Sequence, residues 1–261
     1  MYGLVTLSLV PVRTSHEESS EMSTQLLFGE YVEILESSEK WLFVRNITDN
    51  YKGWVDRKMI FPLSDNDYRK HQTYTPTRMH RPYTIIYNVH SNETKLLPGG
   101  SIVHGLEAEN FMVGNEKWCL IEPHTPLEVP LPAHKLMHLA LSYLNAPYLW
   151  GGKSVLGIDC SGLVQVVFAM GGYALPRDAS QQVEMGKRVD FITEALPGDL
   201  AFFENAEGRI IHVGILVDSA NILHASGWVR IDSIDAQGIR SSVSKEYSHK
   251  LRIIKRIIPE K

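Results

Sequence analysis

Apolar and polar positions alternate in short runs through the first half of the chain and fall into wider, helix-spaced groups in the second. "YVEILESS", "KWLFVRN" and "GWVDRKMI" are brief β-rich stretches between turn residues. Short strands at regular intervals predict small barrels or sandwiches. A weak repeat predicts two of them, because "QLLFGEYVEIL…SEKWLFVRN" from Gln25 is echoed by "KLLPGGSIVHG…NEKWCLIEP" from Lys95. Trp41 and Trp118 close the matching segments, and the stretch from Pro62 to Pro82 reads as the connection between the copies. Cys119 lies in an apolar strand of the second copy and reads as core.

Pro123, Pro126, Pro130 and Pro132 deny the next segment both helix and interior strand, which predicts a stiff linker. "AHKLMHLALSYLN" then places Leu136, Leu139, Ala140, Tyr143 and Leu144 on one helical face, ended by Asn145 and Pro147. A second helix begins near Cys160, with Leu163, Val164, Val167 and Phe168 on its buried side and Gly171 and Gly172 as its stop. "IIHVGILVDSANILHASG" has two β-branched apolar arms about "DSAN" and predicts a β-hairpin. Helices followed by antiparallel strands make this half α+β. The expected domains are therefore residues 1–62, 63–128 and 129–261.

Composition narrows the function. The 261 residues are 44% apolar and 21% charged, enough to bury a sizeable core. Twenty-six basic and 30 acidic residues give a net charge of −4, without the long basic run that nucleic-acid binding requires. No stretch reaches the roughly 18 apolar residues of a spanning helix, so no membrane partner is expected. The N-terminus lacks the basic, apolar and cleavage regions of a secretory signal, and a cytoplasmic location is expected for the chain as it stands. Two cysteines make neither a disulfide framework nor a structural zinc site. His134 and His138 are four apart, but Lys135 stands where the zinc-protease motif needs Glu, so they read as helix surface. Neither metal nor cofactor is expected, and a monomer is.

The chemistry centres on "GIDCSGLVQ", from Gly157. At the first turn of a helix, unpaired N–H groups and the macrodipole favour a thiolate on Cys160 by about 0.3–1 kcal/mol. A free thiol is only a few per cent ionised at neutral pH, so such an effect increases the reactive species. Apolar neighbours act the other way, and a cationic partner is needed as well. Asp159 is no such partner; it caps the helix or binds substrate. Folding the hairpin about Asp218–Ser219 sets residue 224 or 225 opposite His212, and residue 224 is a histidine. One imidazole then faces the thiol while the other bonds its far nitrogen, a nucleophile–base–orienter arrangement.

"PYLWGGKSVLGIDCSGLVQ", "LPRDASQQ", "LPGDLAFF" and "HVGILVDSANILHAS" resemble, in order, the corresponding blocks of the NlpC/P60 cysteine peptidases across most of residues 133–261. The resemblance implies an α+β papain-like NlpC/P60 catalytic domain preceded by two small all-β SH3-like barrels. It implies Cys160 as nucleophile, His212 as general base and acid, and His224 as orienting residue. Tyr148, twelve residues before the cysteine, matches a family tyrosine near the oxyanion site, with the Cys160 N–H as the other donor.

The layout is similar to the YkfC-type γ-D-glutamyl-L-diamino acid endopeptidases, which release L-Ala-γ-D-Glu from muropeptides bearing a free N-terminal L-alanine. Peptidoglycan-derived peptides are thus the implied partners. "DNYKGWVD" resembles the segment with their substrate-facing tyrosine, hence Tyr51, although Tyr51 and Trp54 also read as barrel core. "SSEMSTQLLFGE" resembles the stretch with their acidic contributor, Glu21, with Glu17 and Glu18 as alternatives. Asp178 matches a family aspartate that meets the same amine, and it also suits a helix cap. Asp159 and Ser161 complete the implied substrate contacts. Ala179 stands where relatives often carry a hydroxyl residue, which bears on the fit of the D-Glu end. "LPGDL" reads as a structural turn. Two rival functions share these motifs: a cell-wall binding module with vestigial catalysis, and an acyltransferase on the same fold.

Overall fold

The structure is a computed structural model that describes residues 1–259, in two compact units that divide between Leu127 and Glu128. In the first unit, seven strands between Tyr2 and Leu63 form an antiparallel barrel sheet. Alternation along them fills its core with Val5, Val10, Val12, Leu26, Val32, Leu42, Val44 and Val55. A second set follows: four strands between Tyr83 and Leu120, and a pair formed by Pro76–Arg78 and Ile102–His104. Met79, Ile86, Leu97, Phe111 and Trp118 are its core, and Phe28 of the first set packs among them. Next to Phe28, Gly29 has φ +82°, and a Cβ there would fall 1.7 Å from the Ile102 carbonyl oxygen. Only glycine permits so close a backbone approach.

Two expectations for this unit change. The connection carries a helix, Asp65–His71, capped by the Ser64 hydroxyl, which accepts from the Asp67 N–H. Cys119 is half-buried rather than core, with its thiol donating to the Leu120 carbonyl at 3.4 Å.

The second unit opens with helix α1 (Ala133–Leu141), which buries Leu136, Met137 and Ala140. It stops earlier than its apolar spacing predicts, so Tyr143 is buried beyond its end while Leu144 is exposed. His134 and His138 are exposed on α1. Helix α2 (Cys160–Met170) is buried at every residue from Cys160 to Phe168. The expected two-faced helix is instead an interior one, with neighbours on all sides. A short third helix, α3, spans Ala179–Gln182.

The sheet that packs against α2 has seven strands: β1 (Lys187–Val189), β2 (Leu200–Glu204), β3 (Ile210–Leu216), β4 (Asn221–Ser226), β5 (Trp228–Ile234), β6 (Gly238–Arg240) and β7 (Tyr247–Arg256). Their order is β1-β7-β2-β3-β4-β5-β6, and β7 also pairs with β6, which closes the sheet on itself. Ala201, Phe203, Leu216, Ile222, Ile239 and Ile254 fill part of its interior. The "LPGDL" segment is a turn in which Asp199 accepts from the Leu196 N–H at 2.9 Å and from the Arg256 guanidinium. Among the described residues no helix is long and apolar enough to cross a membrane.

The β3–β4 hairpin forms as expected, but its register differs. The Val217 N–H donates to the Asn221 carbonyl, leaving a three-residue loop centred on Ser219. Ile215 then pairs with Leu223 and Leu216 with Ile222. Extending that register sets Gly214 opposite His224, and a Cβ on Gly214 would lie 3.0 Å from that of His224. His212 is therefore the diagonal neighbour of His224, not its direct partner. Both still point to one face, because 212 and 214 share a side of the strand.

Candidate active site

Cys160 sits at the first position of α2 because Asp159 caps the helix: its carboxylate accepts from the Gly162 N–H at 2.6 Å and from the Gly151 N–H at 2.8 Å. Asp159 is buried, and its compensation is Arg177, whose guanidinium reaches both carboxylate oxygens and also donates to the Ser161 hydroxyl at 2.8 Å. Arg177 is itself only 2% exposed. The pair ties the cysteine turn to the segment leading into α3, which Asp178 caps with the Gln181 side chain reaching back to the Asp178 N–H.

The Cys160 sulfur is enclosed, the residue being 6% exposed, and it faces the backbone N–H groups of Val213 and Ser161. Val213 follows His212 on β3, so helix start and hairpin meet at the thiol. Burial pushes the thiol up to about 11; the Asp159 charge adds to this, while the two N–H groups and Arg177 oppose it. The helix-start effect is thus outweighed, and the expected lowering of the thiol is reversed. Tyr148 belongs to the same neighbourhood. Burial first, then the charges of Cys160 and Asp159, push its phenol up to about 12. The Tyr148 N–H is fixed by the Gly227 carbonyl at 2.9 Å.

A chain of rings begins at His212, the residue before Val213 on β3. His212 Nε2 lies 2.9 Å from His224 Nδ1, and His224 Nε2 lies 3.1 Å from Asp232 Oδ2. His212 is 5% exposed and His224 fully enclosed. Burial, then the neighbouring His249, His224 and Arg230, hold the His212 imidazole well below the ordinary histidine range, so it is neutral at pH 7. His249, on β7, stacks on His212 with ring centroids 4.2 Å apart, and burial pushes it down to about 4.

The structure thus groups Cys160, Tyr148, Asp159 and Ser161 at one helix start and His212 with His224 in one ring chain, all within the second unit, with Asp178 next to Arg177. Tyr51 and Glu21 lie in the first unit. Tyr51 is half-buried at a turn where the Asp49 side chain accepts from its N–H, and Glu21 is exposed. Trp54 is half-buried and packs between Phe43 and His16. Lys40 pairs with Glu18 at 3.2 Å. Sequence reasoning missed Arg177, Asp232 and His249. Arg177 stood inside "LPRDASQQ" as a buried cation beside an acidic residue; the other two lie on strands beyond the predicted hairpin. Among the described residues no group of three or more His, Cys, Asp or Glu is arranged to hold a metal.

Removing one partner of a buried ion pair leaves the other charge uncompensated, at a loss of about 3–5 kcal/mol. Arg177→Met should therefore lower the free energy of unfolding in urea by about that amount. Adding Asp159→Asn should restore part of it. A loss below about 1 kcal/mol would show that the pair does not brace the cysteine turn.

The NlpC/P60 family model matches residues 145–250, and the bacterial dipeptidyl-peptidase Sh3 domain model matches residues 12–60. The gamma-D-glutamyl-L-lysine dipeptidyl-peptidase of Bacillus subtilis is 28% identical over 219 residues, covering 78% of this chain and 72% of its own. Dipeptidyl-peptidase 6 of Lysinibacillus sphaericus is 27% identical, covering 91% of this chain and 93% of its own. A crystal structure of an NlpC/P60 family protein from Bacillus cereus superposes over 99% of this chain and 100% of that one, with a TM-score of 0.84 at 19% identity, a likeness of fold. The chain thus carries a papain-like NlpC/P60 domain in its second unit and a bacterial dipeptidyl-peptidase SH3 domain in its first, the make-up of a peptidase.

Proposed function

We propose that this peptidase hydrolyses the γ-D-glutamyl–diamino acid bond of cell-wall muropeptides with a free N-terminal L-alanine, releasing L-Ala-γ-D-Glu. The observation that carries the reading is the convergence at one helix start: the Cys160 sulfur beside the Val213 N–H, and next to it the His212–His224 pair. The relatives named gamma-D-glutamyl-L-lysine dipeptidyl-peptidase and dipeptidyl-peptidase 6, matched over most of their length, support the substrate class.

In this mechanism the sulfur of Cys160 attacks the γ-carbonyl carbon of D-Glu while His212 Nδ1 takes the thiol proton. The Cys160 N–H and the Tyr148 hydroxyl donate to the tetrahedral oxyanion. The C–N bond then breaks, and the imidazolium gives its proton to the departing amine of the diamino acid. A thioester remains on Cys160. Water attacks it, His212 accepts the water's proton, and the thiolate leaves and is reprotonated as the acid product departs.

The substrate's ammonium needs carboxylate and hydroxyl partners once it leaves water. From the family resemblance we assign these to Tyr51, Asp178 and Glu21, with Glu17 and Glu18 as alternatives to Glu21. Asp159 and Ser161 flank the nucleophile in the same substrate-contacting set. We take as working domains residues 1–62 as first SH3-like module, 63–128 as second SH3-like module and 129–261 as catalytic domain.

Cys160→Ala and His212→Ala should each reduce dipeptide release from L-Ala-γ-D-Glu-L-Lys and its meso-diaminopimelate counterpart by at least about a thousandfold, followed by product mass spectrometry. Undiminished release by Cys160→Ala would exclude the mechanism. Acetylating the substrate's amino group should lower kcat/KM by about 10–100-fold, since charged partners are left unmet. Equal rates on free and blocked peptides would remove Tyr51, Glu21 and Asp178 from substrate recognition.

A further inference from the structure

The Asp232 carboxylate is completely enclosed at the end of the ring chain. On β5 it is the diagonal neighbour of His224, which pairs directly with Arg230. Residues 230 and 232 point to one face, so Asp232 reaches the His224 ring while Arg230 reaches Asp232. Asp232 Oδ2 accepts from Arg230 Nε at 2.9 Å and meets His224 Nε2 at 3.1 Å; Oδ1 accepts from the Ser242 N–H at 3.0 Å. Burial opposes its ionisation, and these hydrogen bonds overcome it, holding the carboxyl below its ordinary range. Arg230 is itself anchored over the Trp228 ring and by the Ser226 carbonyl.

An ionised carboxylate only accepts hydrogen bonds. His224 must therefore carry a proton on Nε2. With one proton on the ring, its Nδ1 is bare and accepts from His212 Nε2–H. His212, neutral, then has its lone pair on Nδ1, the nitrogen that takes the thiol proton. Reverse the chain, and Nδ1–H of His224 would donate to a bare His212 Nε2, parking a proton on Nδ1 and disabling the base. A neutral imidazole has no comparable preference of its own, so the direction comes from the last acceptor.

We propose that Asp232 is the positioning residue that sets the tautomers of both histidines and so aims the lone pair of His212. This rests on the reading of Cys160 and His212 as the reacting pair. Arg230 and the Ser242 N–H keep the carboxylate ionised without competing for His224 Nε2–H. When His212 becomes an imidazolium, the same negative charge stabilises it through the intervening ring. The other groups that bear on the relay are His249, stacked on His212 from β7, and Cys160 from α2.

The test begins with the unmutated protein labelled with 15N in its histidine rings. Long-range 15N–1H correlation at pH 7 should show both His212 and His224 as Nε2–H tautomers. Either ring protonated on Nδ1 alone would overturn the proposal, whether or not any variant folds. Asp232→Asn, close in shape, should then lower kcat by about 100-fold or more with KM within about twofold. It should also move the acid limb of kcat/KM to lower pH and populate an Nδ1–H tautomer. A kcat within threefold of the unmutated enzyme and an unmoved acid limb would overturn it too. The two readings separate cleanly. The expected tautomers together with turnover by Cys160→Ala would sink the peptidase mechanism alone, whereas unexpected tautomers in an enzyme that needs Cys160 would sink only the role of Asp232.

Discussion

Withdrawal from water of Cys160 and His212, the proposed reacting pair, governs the rest of this site. Cys160 and His212 are 6% and 5% exposed. Burial disfavours the charged form of each, raising the thiol and lowering the imidazole. A helix-start dipole worth about 0.3–1 kcal/mol does not offset this for the sulfur. In the proposed mechanism the site therefore rests as a neutral thiol and a neutral base, and the charges appear as the proton moves during attack. The donors proposed for the oxyanion, at the helix start and on Tyr148, would then act where water is excluded and their effect is greatest.

Such a site requires scaffolding that is itself buried and compensated. Two ion pairs supply it. Asp159–Arg177 holds the turn that presents Cys160, and Asp232–Arg230 ends the chain of rings on the opposite strands. In each, a carboxylate serves first to hold a hydrogen-bonding group in place: the Gly162 N–H in one and the His224 ring in the other. Neither anion faces the sulfur as a base. Their part is to leave Cys160 and His212 few ways to point.

Much of this was legible in the sequence. Cys160, His212 and His224, the proposed reacting set, could be singled out because local patterns carry them: a capped helix start and two arms of one hairpin. The register was misread by a residue or two, because loop length sets it and the loop proved to have three residues centred on Ser219. The contact between the two rings survived the shift because residues two apart share a strand face. Asp232, Arg230 and His249 were not legible, since β5 and β7 lack a strong alternating signature and their value lies in contacts across the sheet. Arg177 was hidden for a similar reason: nothing local distinguishes a buried arginine from a solvated one. In the first unit, alternation revealed the strands, while the helix at Asp65–His71 escaped notice because its residues are polar and show no apolar period.

The resting protonation state tests the account most directly. Ultraviolet thiolate absorbance is to be recorded against pH for the unmutated protein, with the Cys160→Ala protein subtracted to remove Cys119 and tyrosine. The account predicts no thiolate signal from Cys160 between pH 5 and pH 8, with absorbance rising only towards pH 11. A full thiolate band at neutral pH that persists on acidification towards pH 5 would contradict it, because the sulfur and imidazole would then rest as a preformed ion pair.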